Sequence, residues 1–133
     1  DSTENFDRSW ARGSYIVANS YDYVIDALDG RLGDHSNLQH VTLGWQNNPV
    51  EKVQFTTDYN ALFADAHPTT AGTGGLAEDG SFRGHLITAQ VKHNLSDRIQ
   101  HRVNGELFVP GDFYTDQRND PVAWLRYEIV FSW

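Results

Sequence analysis

Apolar and polar side chains alternate one by one along most of this chain, most cleanly at its C-terminal end. There Leu125, Tyr127, Ile129, Phe131 and Trp133 fall on one side of an extended segment, and Arg126, Glu128 and Ser132 on the other. Successive side chains of a strand point to opposite faces, so the pattern predicts a strand running to Trp133, greasy on one face and charged on the other. The same period recurs upstream. Ile99, Val103, Leu107 and Val109 alternate with Gln100, Arg102, Asn104 and Glu106 until Pro110-Gly111. Ile87, Ala89, Val91 and Leu95 alternate with Thr88, Gln90, Lys92 and Asn94. Val53, Phe55, Tyr59, Ala61 and Phe63 alternate with Lys52, Gln54, Asp58 and Asn60, and Val41, Leu43 and Trp45 with His40, Thr42 and Gln46. A less regular segment around Tyr15 and Val17, followed by Tyr21 and Tyr23, brings the expected count to about six strands in one all-β unit spanning 1–133.

The segments between these strands alternate in length. Short turns are expected at 47–49 and 96–97, and long loops at roughly 24–36, 65–84 and 111–120. A soluble sandwich or barrel buries its greasy face, whereas a transmembrane barrel turns that face to lipid, lines its lumen with the polar one, and carries short turns at one end and long loops at the other. The loop asymmetry therefore favours an antiparallel transmembrane β-barrel whose long loops all lie outside. The loops hold Asp26, Asp29, Asp34, Asp65, Glu78, Asp79, Asp112, Asp116 and Asp120, which suit a solvated surface or one facing divalent cations and lipopolysaccharide.

Composition narrows the choice. Hydrophobic residues make up only 39% of the chain while aromatics reach 13%, a balance suited to strands and membrane interfaces. A net charge of −8 excludes nucleic-acid binding, which needs a basic footprint, and disfavours an anionic lipid surface. Without Cys or Met there is no disulfide framework, thiolate metal site or cysteine nucleophile. No apolar run approaches the roughly 18 residues of a spanning helix, and Asp1-Ser2-Thr3-Glu4-Asn5 is no signal peptide, so the chain reads as mature, truncated or cytosolic. Barrel strands need only about 9–11 residues, so the missing helix does not exclude a membrane.

Three stretches carry a family resemblance: Phe55 to Ala66 (FTTDYNALFADA), the Gly-rich Ala71 to Ala77 (AGTGGLA), and Phe108 to Tyr114 (FVPGDFY). They resemble the C-terminal strands of the alginate-export family of outer-membrane porins, over about 37–133 and most strongly from 53 onward. The last strand also resembles the aromatic-ended signal read by the barrel assembly machinery, here carried by Tyr127, Ile129, Phe131 and Trp133. The resemblance implies an 18-stranded diffusion channel in the outer membrane of a Gram-negative bacterium, with an anionic polyuronate passing along a basic lumen. Six strands cannot close a membrane barrel, for which about eight is the usual minimum. The chain is therefore expected to be the C-terminal third of a larger barrel, or a subunit that closes with other β chains.

With the greasy face outward, the side chains lining the pore are Arg12, His40, Lys52, Asp58, Lys92, Arg102, Glu106, Arg126 and Glu128. The bases, Arg102 and Arg126 foremost, suit selection of an anionic solute; the acids suit cross-strand ion pairs that only satisfy charge in a wet lumen. Glu106 and Glu128 meet the roughly 5–9.5 Å separation of a glycosidase acid and base, but so do most neighbouring strand positions, and no catalysis is expected. His85, His93 and His101 recur at a spacing of eight without a metal-ligand motif and read as interfacial. No metal or cofactor is expected. Gly72-Thr73-Gly74-Gly75 precedes no helix and reads as a flexible loop rather than a phosphate cradle, and the Asn94-Leu95-Ser96 sequon carries little meaning in a tight turn. Tyr15, Tyr21, Tyr23, Trp45, Tyr59, Phe63, Phe113, Tyr127, Phe131 and Trp133 are expected at strand ends, as the girdles of a barrel or the core of a soluble domain. Gly44 and Gly105 mark bends or close packing within strands.

The expected function is passive passage of small or anionic solutes such as sugar acids or polysaccharide. The expected partners are outer-membrane lipid, the assembly machinery and the remaining strands. Two rivals remain: a soluble small barrel with an apolar ligand inside, and a self-assembling structural β-protein that pairs through open edges.

Overall fold

A computed structural model describes residues 38–65 and 75–133. Five strands, β1 (Gln39–Val50), β2 (Val53–Phe63), β3 (Phe82–Ser96), β4 (Ile99–Pro110) and β5 (Val122–Phe131), pair in chain order as one antiparallel open sheet. The described residues contain no α-helix, only a 3-10 turn at Asp116–Arg118, and none of their helices is long and apolar enough to cross a membrane. The strand expected around Tyr15–Tyr23 lies outside the described residues, as do Arg12, most of the Gly-rich loop and the acids Asp26, Asp29 and Asp34.

The register keeps the two faces distinct from one edge of the sheet to the other. Trp45 faces Thr57, Thr57 faces Ala89, Ala89 faces Gly105 and Gly105 faces Leu125. The adjacent row runs Gly44, Asp58, Thr88, Glu106 and Trp124. Odd-numbered residues thus share one face and even-numbered residues the other. Irregularities occur only near strand ends, at Asn47/Val50, Leu62/Phe63 and Asn94/Ser96.

Both hairpin turns lie at one end of the sheet and both long loops at the other, as the loop lengths predicted. The turn residues differ from expectation. Asn47, Asn48 and Pro49 continue β1, and the chain reverses at Glu51-Lys52, where Lys52 takes a positive φ of 68°. Pro49 is tolerated there because, among the described residues, β1 is an edge strand and leaves one side without ladder partners. At the other end β5 stops at Phe131, so Trp133 lies beyond the strand and is exposed instead of continuing the greasy face.

The long-loop end holds the buried core. Leu62, Leu86 and Phe108 interrupt the polar face there, and Leu76, Phe113 and Tyr114 fold over them from the two loops. Leu76 and Tyr114 form an isolated bridge, Ala77 N–H donates to the Phe113 carbonyl at 3.0 Å, and Thr115 N–H donates to the Gly75 carbonyl at 2.9 Å. The Phe113 ring meets that of Tyr114 edge-on at 5.3 Å, so this aromatic belongs to the interior and not to a girdle. The bulge near Leu62/Phe63 sends Arg83 to the same side, 1% exposed, with its guanidinium carbon 4.8 Å above the Phe113 ring. Gly84, at φ 137°, lets β3 approach β4: a Cβ there would lie 2.3 Å from the Val109 carbonyl oxygen.

Phe113→Ala removes the ring on which Arg83 and Tyr114 rest. It is expected to cost about 3–5 kcal/mol, the usual penalty for emptying a buried aromatic site, seen as a lowered denaturant midpoint with an unchanged slope.

Candidate functional site

The odd-numbered face is apolar and open. Val41, Leu43, Trp45, Ile87, Val91, Val103, Leu107, Leu125, Tyr127, Ile129 and Phe131 are all exposed there, Leu43 at 74% and Leu125 at 75%. From Gln39 to Phe131 no Asp, Glu, Lys or Arg of the five strands points to this side. Its polar groups lie mostly towards the strand ends and pair with one another. The Tyr59 hydroxyl meets His85 Nδ1 at 2.6 Å, the Tyr127 hydroxyl meets His101 Nδ1, and His93 sits opposite His101. Trp45 packs edge-on against Phe55 at 5.7 Å.

The even-numbered face carries the charges. Nearest the buried cluster is the row of Asp58, Thr88 and Glu106, followed by Thr56, Gln90, Asn104 and Arg126, then by Gln54, Lys92, Arg102 and Glu128. The first two rows, with His40, Thr42 and Asn60, line a recess of about 530 Å3. A second recess of about 430 Å3, at the hairpin end, is lined by Glu51, Lys52, Lys92, Asn94 and Gln100 among others.

Of the residues expected to line a pore, Asp58, Glu106 and Arg126 share the larger recess, and Lys92, Arg102 and Glu128 form the row beyond it. Lys52 is displaced. It occupies the hairpin turn at the rim of the second recess, because the chain reverses two residues later than expected. Arg12 lies outside the described residues. Arg126 Nε contacts Glu128 Oε1 of its own strand at 3.0 Å, and its guanidinium lies 5.3 Å over the Trp124 ring. Arg102 Nε donates to Gln100 Oε1 at 2.5 Å and is in register with both Lys92 and Glu128. The exposed loop acids include two with structural partners: Asp65 Oδ1 accepts from Gln39 Nε2, and Asp112 Oδ1 accepts from Phe82 N–H at 2.9 Å.

The neutral polar residues of the recess are prominent in a way the pattern did not single out. Asn60 and Asn104 are buried, at 4% and 8% exposed. Thr42 donates to Asn60 Oδ1 at 2.6 Å, Asn60 Nδ2 to the Leu86 carbonyl at 3.3 Å, and Gln90 Nε2 to Asn104 Oδ1 at 2.6 Å. Asn104 Nδ2 is buried without a partner. The visible signal was the run of amides and hydroxyls at alternate positions, Asn60, Thr88, Gln90 and Asn104, which reads as generic polarity until the register brings it together. Among the described residues, no group of three or more His, Cys, Asp or Glu is placed to hold a metal ion.

Compared with known proteins, the chain matches no family model, no curated relative and no solved structure.

A Cβ at Gly44 would lie 2.5 Å from Asp58 Oδ1, so the missing side chain makes room for this carboxylate. Gly44→Ala is expected to turn the Asp58 side chain off its rotamer at a cost of about 0.5–1.5 kcal/mol. A double-mutant cycle with Asp58→Ala should recover most of that cost as coupling; strictly additive unfolding free energies would rule the contact out.

Proposed function

We propose that the chain is part of an antiparallel transmembrane β-barrel in a Gram-negative outer membrane, and that the barrel is a passive porin for small hydrophilic solutes. The observation that carries this reading is the inverted polarity of the sheet. Its open face bears no Asp, Glu, Lys or Arg across five strands, while its charges and most of its amides gather on the opposite face around a recess. In water such an open face costs free energy in proportion to its area; against hydrocarbon it costs none. Strands of 10–15 residues match or exceed the roughly 9–11 that a tilted strand needs to cross. Long loops at one end and short turns at the other agree with the same placement.

The outer edges of β1 and β5 have no strand partner among the described residues. Unsatisfied edge groups cost several kcal/mol each in lipid, so the working barrel contains further strands, from the rest of a longer chain or from other β chains. Outer-membrane lipid and the assembly machinery are its partners, with Tyr127, Ile129 and Phe131 on the lipid-facing strand. The resemblance to alginate-export porins supports the porin reading, and the basic hairpin end, with Lys52, Lys92 and Arg102, is where an anionic solute would be attracted. The barrel performs no chemistry. A soluble barrel around an apolar ligand would enclose the odd, apolar face, whereas the recess here is lined by the even one. Self-assembly through open edges is favoured by the edges themselves and predicts polymers without conductance.

Leu125→Arg places a cation in the middle of the open face. It is expected to destabilise the lipid-inserted state by about 2–4 kcal/mol, whereas Gln90→Arg on the other face leaves insertion intact and changes conductance. The measurement is heat-modifiable gel mobility and single-channel current of the membrane-extracted protein. A soluble 15.1 kDa species without a mobility shift, or equal tolerance of both substitutions, would refute the proposal.

A further inference from the structure

We infer that the recess lined by all five strands is a subsite for a neutral polyhydroxylated solute, a sugar unit, lying in the path of the pore proposed above. The inference rests on that reading for its place in a lumen, but its recognition chemistry stands on the recess itself. One row presents Asp58, Thr88 and Glu106 on three adjacent strands, and the next presents Thr56, Gln90, Asn104 and Arg126. The strands carrying the two carboxylates are two spacings apart, about 10 Å, and both side chains line the same space. At about 530 Å3 the recess falls in the range of small-molecule sites.

Asn104 selects the ligand class. The residue lines the recess and is 8% exposed, its Oδ1 accepts from Gln90, and its Nδ2 is buried beside the recess with no acceptor. A buried donor left unmatched costs about 1–3 kcal/mol, so a solute whose oxygen accepts from the amide as it turns into the recess is favoured. Asp58 and Glu106 in turn offer carboxylate oxygens that only accept. An anion such as a uronate satisfies Asn104 but meets two acids. An ammonium group suits the acids and offers Asn104 nothing. A hydroxyl both donates and accepts, and one carrying several matches the whole lining. Arg126 adds a cation to the lining, but Glu128 Oε1 lies 3.0 Å from its Nε and offsets that charge, leaving the two acids Asp58 and Glu106 against an anion.

The test uses the full protein extracted from its membrane into detergent and titrated calorimetrically with maltotriose, trigalacturonate and spermidine, alongside block of the single-channel current by the same probes. Maltotriose should bind at least tenfold more tightly than either charged probe and interrupt the current. Asn104→Asp, which keeps the volume and the acceptor for Gln90 but removes the donor, should weaken maltotriose at least tenfold. Asn104→Leu should do the same, and Gln54→Leu in the row beyond should not. Tighter binding of trigalacturonate or spermidine, unaltered affinity in both Asn104 variants, or a conducting protein that binds no sugar would overturn the subsite and leave the pore standing. Sugar binding without conductance would support the subsite and overturn the pore.

Discussion

Everything in this sheet depends on register parity. Apart from the single pairs at the irregularities, Val50 with Val53, Phe63 with Phe82 and Ser96 with Ile99, odd residues face odd and even residues face even in all four strand pairings, so the two faces stay distinct along the sheet. A slip of one residue in any ladder would put that strand's apolar set among the charges and its charges among the apolar set. The structure keeps its irregularities where a slip does no harm, beside the hairpin turns and at the bulge before Arg83. Between those points each strand carries an uninterrupted alternation, and the side chains that contradict it, Leu62, Leu86 and Phe108, sit where the loops cover them.

Parity separates two environments that cannot be exchanged. The even face contains amides that bond to one another, to Thr42 and to a backbone carbonyl, the buried Asn60, Asn104 and Glu106, and an ion pair on β5. Such groups tolerate water and pair readily. The odd face has mostly hydrocarbon and ring surface, the neutral Gln39, Asn47 and Thr57, and three imidazoles, two of them held by tyrosine hydroxyls. The histidine–tyrosine pairs satisfy polar atoms without adding a charge, the arrangement required of a polar group on an otherwise greasy surface. The eight-residue spacing of His85, His93 and His101 has the same origin: even spacing keeps all three on one face.

Much of this was legible in the sequence because a period of two needs no tertiary information. All five described strands, their neighbours and the membership of each face follow from alternation and turn lengths. What escaped involves competition between local signals and the ladder. Asn47-Asn48-Pro49 has strong turn chemistry, yet β1 pairs on past it and Lys52 supplies the positive φ. Trp133 fits the alternation but has no ladder to join. The loop core was partly visible in the breaks Ala61-Leu62-Phe63, Leu86-Ile87 and Leu107-Phe108-Val109, where both faces become apolar at the same end. Phe113 and Arg83 reach that core through a loop and a bulge, and alternation encodes neither. For the recess, the acids and Arg126 were legible as lining groups, but the burial of Asn60 and Asn104 was not, because it depends on what packs beside them.

The even face carries as many acids as bases in its strand rows, Asp58, Glu106 and Glu128 against Lys92, Arg102 and Arg126, so its character lies in their order and not in their sum. Asp58 and Lys92 stand in rows four residues apart along the strands, about 13 Å. That exceeds the Debye length of about 8 Å at physiological ionic strength, so in a hydrated space each row acts on a passing charge largely on its own. From the hairpin end the rows run Lys92, Arg102 and Glu128, then Arg126, then Asp58 and Glu106, so the net charge turns from positive to negative, and the buried cluster of Leu62, Leu86, Phe108 and Phe113 bounds the acidic row on its far side. In the proposed pore an anion would be drawn towards Lys92, Arg102 and then Arg126 and repelled at the row of Asp58 and Glu106 beyond, while a cation would experience the reverse. A neutral solute in the proposed pore would meet neither barrier, and the amides between the two rows would then set how long it stays.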